Sequence, residues 1–334
     1  MGAPATALRA EFGRRPPREV LVVKPSSFGD VLHTLAPVAA LRRVWPESRL
    51  TWVVNEEWAP LLEGGGLVDR IVRFPRGRFR GAIGLPRFLS WCRATLRGLR
   101  PDLALDFQGL LRSAWMSRAA CPVRFAGLSD AREGAAWLTP YRAEVAGREH
   151  AVDRYFALVE ALGVPRPAEP EFPLPPGEPA PLPSGPYLVL HPFARGAGKS
   201  LGGEAILQLA DALGPAPVVL VGRGEVPKGL PPHVTDLVDR TTLPQLIGLL
   251  RGAAFSVSVD SGPMHLAAAL SSRVLAIHTW SDPRKVGPYR PDALVWKGGK
   301  LGEARDWFPA SDLQPGREDL GRIARAVRER VGAP

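Results

Sequence analysis

Between Pro165 and Pro186 the chain carries ten prolines. Proline has no backbone N–H and holds φ near −65°, so such a stretch cannot supply a sheet ladder and favours extended polyproline II backbone. It splits the 334 residues into two parts, each long enough to bury a core of its own. Residues 166–186 are therefore predicted as an interdomain linker.

The same pattern runs on either side of it. Glu19–Val23 is a short, β-branched apolar run, as suits a parallel strand buried on both faces. A loop, Lys24 to Gly29, follows. A helix is then predicted from Asp30, with Leu32, Leu35, Val38, Leu41 and Trp45 near helical spacing and Pro46 closing it. Further strands are predicted at Leu50–Val54, Arg70–Phe74 and Leu103–Asp106, with a helix over Pro86–Leu99. Beyond the prolines, strands at Tyr187–His191, Pro217–Val221, Phe255–Val259 and Val274–His278 alternate with helices at Gly203–Leu213, Thr242–Arg251 and Pro263–Leu270. This alternation predicts an α/β chain of two Rossmann-like domains, 19–165 and 187–316, with parallel sheets and a cleft between them. A last helix, Arg317–Val331 within the segment 317–334, is expected to pack back across the lobes. Residues 1–18 hold no apolar signal-peptide core and are expected to be a flexible extension.

The formal net charge is +10, which favours anionic partners. No nucleic-acid module is recognisable, so nucleic acid is disfavoured as that partner. Cys92 and Cys121 have neither disulfide nor metal-ligand spacing, which points to a reducing cytosol. No apolar run approaches the ~18 residues of a membrane span.

In open α/β sheets, ligands sit beyond the carboxyl ends of strands. Asp30 closes the first such loop. It is either a plain helix cap or a general base aimed at an acceptor hydroxyl. Ser258 to His265 joins another strand to a helix. Ser261 and Gly262 lie where exposed N–H groups and the helix dipole favour a diphosphate, though a simple serine-capped helix reads the same way. His265 is either a buried structural histidine or a phosphate contact. Arg195 and Lys199, among glycines, suit a phosphate clamp or a solvated basic loop. Glu225, just past a strand, is placed for ribose hydroxyls. Arg76, Arg78 and Arg80 either grip acceptor carboxylates and phosphates or form solvated surface. No G-x-G-x-x-G follows the first strand, and there is no P-loop, Asp-x-Asp pair or metal-ligand cluster. A diphosphate leaving group would have to be stabilised by cations, N–H groups and a helix end.

Three ordered blocks then resemble glycosyltransferase family 9, the ADP-heptose:lipopolysaccharide heptosyltransferases: Lys24 to Pro37, Val259 to Leu270, and Ser281 to Tyr289. The segments Leu105–Ala114 and His150–Arg154 look more like heptosyltransferase I than heptosyltransferase II. The resemblance implies a GT-B fold of two facing lobes and an inverting, metal-independent transfer that needs no cofactor. It implies Asp30 as catalytic base. Ser27, Gly29, Arg195, Lys199, Glu225, Asp260, Ser261, Gly262 and His265 would surround the donor, ADP-heptose. Arg76, Arg78, Arg80 and Gln108 would face an acidic glycolipid acceptor, the Kdo of lipid A. Such an enzyme would be cytoplasmic, in peripheral contact with the anionic inner face of the bacterial inner membrane. The family often has Trp-Pro soon after the phosphate-binding lysine, whereas here Ser200-Leu201-Gly202 follows Lys199. Phe193 and Ala194 replace expected hydroxyl residues. These departures leave room for another nucleotide sugar, and a non-catalytic nucleotide-sugar-binding protein is a third reading.

Overall fold

The computed structural model describes all residues except 1, 82, 184, 197, 307–309, 333 and 334. The chain forms two units, 1–175 and 176–334, divided inside the proline-rich window. Each holds one seven-stranded sheet.

In the first unit the strands are β1 (Ala3–Pro4), β2 (Glu19–Val23), β3 (Arg49–Asn55), β4 (Arg70–Phe74), β5 (Leu103–Asp106), β6 (Arg124–Leu128) and β7 (Tyr141–Ala143). The helices are α1 (Arg9–Arg14), α2 (Phe28–Val44), α3 (Gly84–Thr95), α4 (Leu111–Ala119), α5 (Ala135–Leu138) and α6 (Ala151–Ala161). The order β1-β7-β6-β5-β2-β3-β4 is parallel at every printed pairing. Val22 stands beside Trp52 on one side and Leu105 on the other. Leu21, Val22 and Val23 are buried, as a central strand covered on both faces requires. The chain runs outward through β3 and β4 and then returns to β5. The order thus reverses between β2 and β5, and the crevice beyond their carboxyl ends is where ligands collect in such sheets.

Residues 2–18 are not the loose extension that the polarity of 1–18 predicts. Ala3 pairs with Tyr141 at the sheet edge. Ala5, Leu8 and Phe12 are buried, and the Phe12 ring meets Trp45 edge-on at 5.8 Å. Three well-spaced apolar residues suffice to anchor the segment; a count of polar residues overlooks them.

The second unit contains β8 (Leu188–His191), β9 (Val218–Leu220), β10 (Val234–Asp236), β11 (Phe255–Val259), β12 (Val274–His278), β13 (Leu294–Lys297) and β14 (Lys300–Glu303). Its helices are α7 (Gly203–Leu213), α8 (Leu243–Gly252), α9 (Gly262–Leu270), α10 (Pro283–Val286) and α11 (Arg317–Val331). The order is β10-β9-β8-β11-β12-β13-β14, with only β13 and β14 antiparallel. It reverses between β8 and β11, where Leu190 pairs with Val257. The apolar face of α11, Leu320, Ile323, Ala324 and Val327, is buried in the core of this unit, and the helix packs on α7.

Both ends of the proline-rich window are fastened. Phe172 is buried and Glu171 pairs with Arg43. Farther on, Glu178 N–H donates to Pro244 O at 2.9 Å. Gly177 has φ +85°, and a Cβ there would lie 2.3 Å from Gly248 N. Only glycine permits so close a backbone approach at that φ.

Candidate active site

Lys24 ends β2 and is buried, which is costly for a cation without partners. Its Nζ donates to Phe107 O at 3.0 Å and to Tyr155 Oη at 2.7 Å. Asp30 Oδ1 lies 3.9 Å from Nζ. Tyr155 Oη in turn donates to Asp30 Oδ1 at 2.6 Å. Burial alone would push the Asp30 carboxyl up. The Lys24 charge, the Tyr155 hydrogen bond, His33 and the Ser27 hydroxyl overcome it and hold the group well below the usual carboxylate range. Burial pushes the Lys24 ammonium the opposite way, below its ordinary value, with Asp30 and Asp106 resisting. The result is an ionised carboxylate with 35% of its side chain still open.

The helix begins two residues earlier than expected. Ser27 is the cap of α2 and Asp30 is its third residue. Asp30 Oδ2 accepts Ser27 N–H at 3.1 Å and Ser27 Oγ at 2.8 Å, closing a capping box. The cap reading and the chemical reading thus apply to different oxygens of one carboxylate. Gly29 lies half-buried in the same first turn. Gln108, after β5, accepts Ser26 N–H on Oε1 at 3.1 Å, tying the two loops together across the switch point. Asp106 accepts Gln108 N–H, Gly109 N–H and Ser113 Oγ. Burial raises its carboxyl to about 6. Arg76, Arg78 and Arg80 follow β4 along the same sheet edge, exposed, and make no ion pair among the described residues. Arg73, in β4 itself, is paired with Glu63.

In the second unit three neighbouring strands, β8, β11 and β12, deliver the other group. Lys199 Nζ stands 3.5 Å over the centre of the Trp280 ring. Its loop is anchored at Gly198 O, which accepts Thr279 Oγ1 at 3.1 Å and Gln314 Nε2 at 2.6 Å. Arg195 is exposed on the same loop. Ser261 caps α9 by position, yet its hydroxyl turns back to Val259 O at 3.0 Å and lies 3.2 Å from His191 Nδ1. It makes no side-chain cap, so the first N–H groups of α9, beginning at Gly262, are not taken by it. His265 Nε2 is 3.8 Å from Asp260 Oδ1. Glu225 is exposed on the loop after β9. The Phe193 ring fills the space above Gly222 and Gly224, where an added Cβ would come within 2.8 and 2.4 Å of it. Leu201 is buried in the same core. Of the residues that depart from the family pattern, Phe193 and Leu201 therefore pack as apolar floor, while Ser200 Oγ accepts Ala194 N–H at 2.9 Å.

Chemically, the first group can take a proton from a hydroxyl. The second can stabilise an anion with a lysine, an arginine and a helix end. Tyr155, Lys24, Asp106 and Trp280 were not singled out by sequence reasoning. Tyr155 lies 125 residues from Asp30, and no local spacing signals that contact.

Two buried histidines give this unit a pH dependence. Burial lowers both His191 and His278 from 6.5 to about 4. Between these values the folded chain binds fewer protons than the unfolded one, so stability is lost as pH falls through that window. Lowering pH from about 7 to about 5 removes about 2 kcal/mol per histidine. In the first unit Asp106, raised from 3.8 to about 6, acts with opposite sign, so the acid loss belongs to the second unit. Urea midpoints measured across pH should fall on the acid side, and His278→Gln, which keeps the contact to Ser281, should flatten the slope. An unchanged slope would contradict the assignment.

Two doubly wound parallel sheets, each with polar residues gathered at its switch point, define the class: the GT-B type of glycosyltransferase. Residues 92–306 match the model of "Glycosyltransferase family 9 (heptosyltransferase)", and the chain belongs to that family. It is 32% identical over 290 residues to lipopolysaccharide heptosyltransferase 1 of Pseudomonas aeruginosa, covering 81% of each chain. The structure of E. coli heptosyltransferase WaaC with ADP superposes with TM-score 0.73 at 26% identity, covering 94% of this chain and 99% of that one. The same protein with ADP-2-deoxy-2-fluoro heptose gives TM-score 0.72 at 26% identity, with the same coverage.

Proposed function

We propose that this enzyme moves heptose from ADP-heptose to the Kdo of lipid A, with inversion and without a metal ion. The observation that carries the reading is Asp30, an ionised, part-open carboxylate fixed at the switch point of the first sheet. Relatives named lipopolysaccharide heptosyltransferase 1 and a structural neighbour solved with ADP-2-deoxy-2-fluoro heptose support the donor.

In this reading Asp30 accepts the proton of an acceptor hydroxyl as its oxygen bonds to the anomeric carbon. The bond from that carbon to the β-phosphate oxygen breaks, and ADP leaves with the electron pair. Lys199, Arg195 and the start of α9 at Ser261 and Gly262 stabilise the growing charge, at about 3–4 kcal/mol for a key donor. His265 borders the diphosphate, Asp260 holds heptose hydroxyls and Glu225 the ribose. Ser27 and Gly29 complete the donor side. Gln108, Arg76, Arg78 and Arg80 face the acceptor carboxylates and phosphates. Changing the three arginines to alanine should raise the acceptor KM about tenfold and leave donor KM alone. An acceptor KM within about twofold of the parent would remove them from the site.

Among the described residues no helix is long and apolar enough to cross a membrane. A cytoplasmic enzyme in peripheral contact with an anionic inner membrane face suits a lipid-borne acceptor. The second reading, another nucleotide sugar within the family, is favoured by Phe193: a buried ring stands where the family pattern has a hydroxyl residue, so that polar contact is missing from the loop after β8. A donor screen decides between them. Purified protein with EDTA and Kdo-lipid A is given ADP-heptose beside UDP-, GDP- and other ADP-sugars, and the lipid is weighed by mass spectrometry. Heptose addition lost in Asp30→Ala supports the proposal. Transfer only from another donor moves the enzyme to a different glycan.

A further inference from the structure

From Arg76 to Arg118 the chain has nine arginines and two acidic residues, Asp102 and Asp106. Asp106 is buried, and Asp102 accepts the backbone N–H groups of Arg18 and Glu19. The arginines thus lack acidic neighbours within their own segment. Large apolar side chains are exposed among them. Ile83 is 53% exposed, and on α3 Leu85 is 65% exposed with Leu89 one turn further along the same face. On α4, Leu111 and Trp115 are exposed at the same i,i+4 spacing, with Arg118 following. Trp137 on α5 is 92% exposed. These helices adjoin one another: α3 and α5 both pack on α4, and the Arg112 guanidinium lies 5.8 Å over Phe88 of α3. Asp130, near α5, is engaged by Arg154, which leaves Glu133 as the exposed acid closest in sequence to Trp137.

Apolar side chains, two tryptophans among them, rimmed by arginine on a short-helix face suit a surface that is anionic outside and apolar just beneath. A water-facing role would not call for exposing Trp137. A protein partner would need carboxylates matched to individual arginines, whereas a lipid surface presents mobile anionic headgroups that adapt to scattered ones. We infer that α3, α4 and α5 form a face that docks on an anionic lipid bilayer, with Leu85, Leu111, Trp115 and Trp137 entering the headgroup boundary and Arg87, Arg112 and Arg118 meeting headgroup phosphates. In a parallel sheet the helix after each strand starts at the carboxyl edge, so α3 and α4 both begin at the edge that carries Asp30. The face would then bring that edge to the membrane that holds the acceptor, and to that extent it rests on the proposed lipid-linked substrate.

The test is co-sedimentation of the full chain with vesicles of phosphatidylcholine alone and with added phosphatidylglycerol. The parent should bind only the anionic vesicles. Leu85→Ser/Trp115→Ser/Trp137→Ser should lower that partition about tenfold, and Arg87→Glu/Arg118→Glu at least as much. Both variants should keep the parent's thermal midpoint and its transfer rate to a delipidated, soluble Kdo oligosaccharide. Vesicle binding unchanged in either variant, equal binding to neutral vesicles, or self-association of the parent through this face in place of lipid binding would overturn the inference. Failure of the heptose donor alone would count against the proposed reaction and leave the vesicle result standing.

Discussion

Asp30→Asn is expected to lower kcat about 10³-fold at saturating donor and to leave donor affinity unchanged, because in the proposed reaction it removes the proton acceptor and little else. Asparagine is nearly the same size. Its oxygen can still accept Ser27 N–H, so the capping box survives in part and α2 should not unravel. What is lost is the charge that Lys24 and Tyr155 are arranged to hold. A carboxylate held so far below its usual range is a weak ground-state base. It is suited to a late proton transfer, when the attacking oxygen has already bonded to the anomeric carbon and become acidic. The pH profile separates this role from a structural one. With Asp30 ionised throughout the neutral range, kcat/KM should show no acid limb from this group near neutrality. Lys24→Met removes the largest of the influences that hold the carboxyl down, so burial should raise it and an acid limb should move into view. A rate for Asp30→Asn within about tenfold of the parent would show that another group takes the proton.

The elements that sequence located to the residue are those whose burial leaves a simple trace. Glu19–Val23, Arg70–Phe74, Leu103–Asp106, Phe255–Val259 and Val274–His278 are strands as expected, and α7 and α11 have the expected ends. All but one of those strands are interior to their sheets, and an interior parallel strand reads as an apolar run because both its faces are covered. β6, with Gly127 inside it, and the three-residue strands β7 and β10 carry no such run. Their pairing is decided by neighbours, and so is the docking of residues 2–18 through Phe12 and Trp45. The site divides in the same way. Asp30, Lys199 and Ser261 sit in or just past loops that follow strands, so topology marks their places. Tyr155 acts from α6 on Asp30 and Lys24, and Trp280 acts from beyond β12 on Lys199. Both are contacts between segments far apart in the chain. The helix start was displaced for a local reason: Ser27 competes successfully for the cap, which moves Asp30 inside the first turn.

The second large effect is expected at Lys199. Lys199→Ala should lower kcat/KM about 10²- to 10³-fold, the usual loss when one donor aimed at developing charge is removed. The geometry says how the residue is prepared. Its ammonium rests on the Trp280 ring, a contact worth about 0.5–2 kcal/mol depending on how dry it is. That attraction fixes the side chain, and among the described residues no acid pairs with its N–H donors, so a diphosphate competes easily with an aromatic face. The loop supports the same purpose. Gly196 at φ +105° lets the backbone pass under the lysine stem, where an added Cβ would be 3.2 Å from Lys199 Cε. Gly198 is held by Thr279 and Gln314. Two comparisons separate charge from placement. Lys199→Arg keeps the charge but exchanges a compact ammonium for a planar fork, so it should recover only part of the rate. Trp280→Ala keeps the lysine but frees it, so it should raise donor KM several-fold with kcat nearly intact, by about the value of the cation–π contact. Isothermal titration with ADP gives the same ranking without turnover: Lys199→Ala weakest, Trp280→Ala intermediate. If ADP binds Lys199→Ala as tightly as the parent and transfer falls less than about tenfold, the diphosphate is held elsewhere and Arg195 with the α9 start must carry the charge.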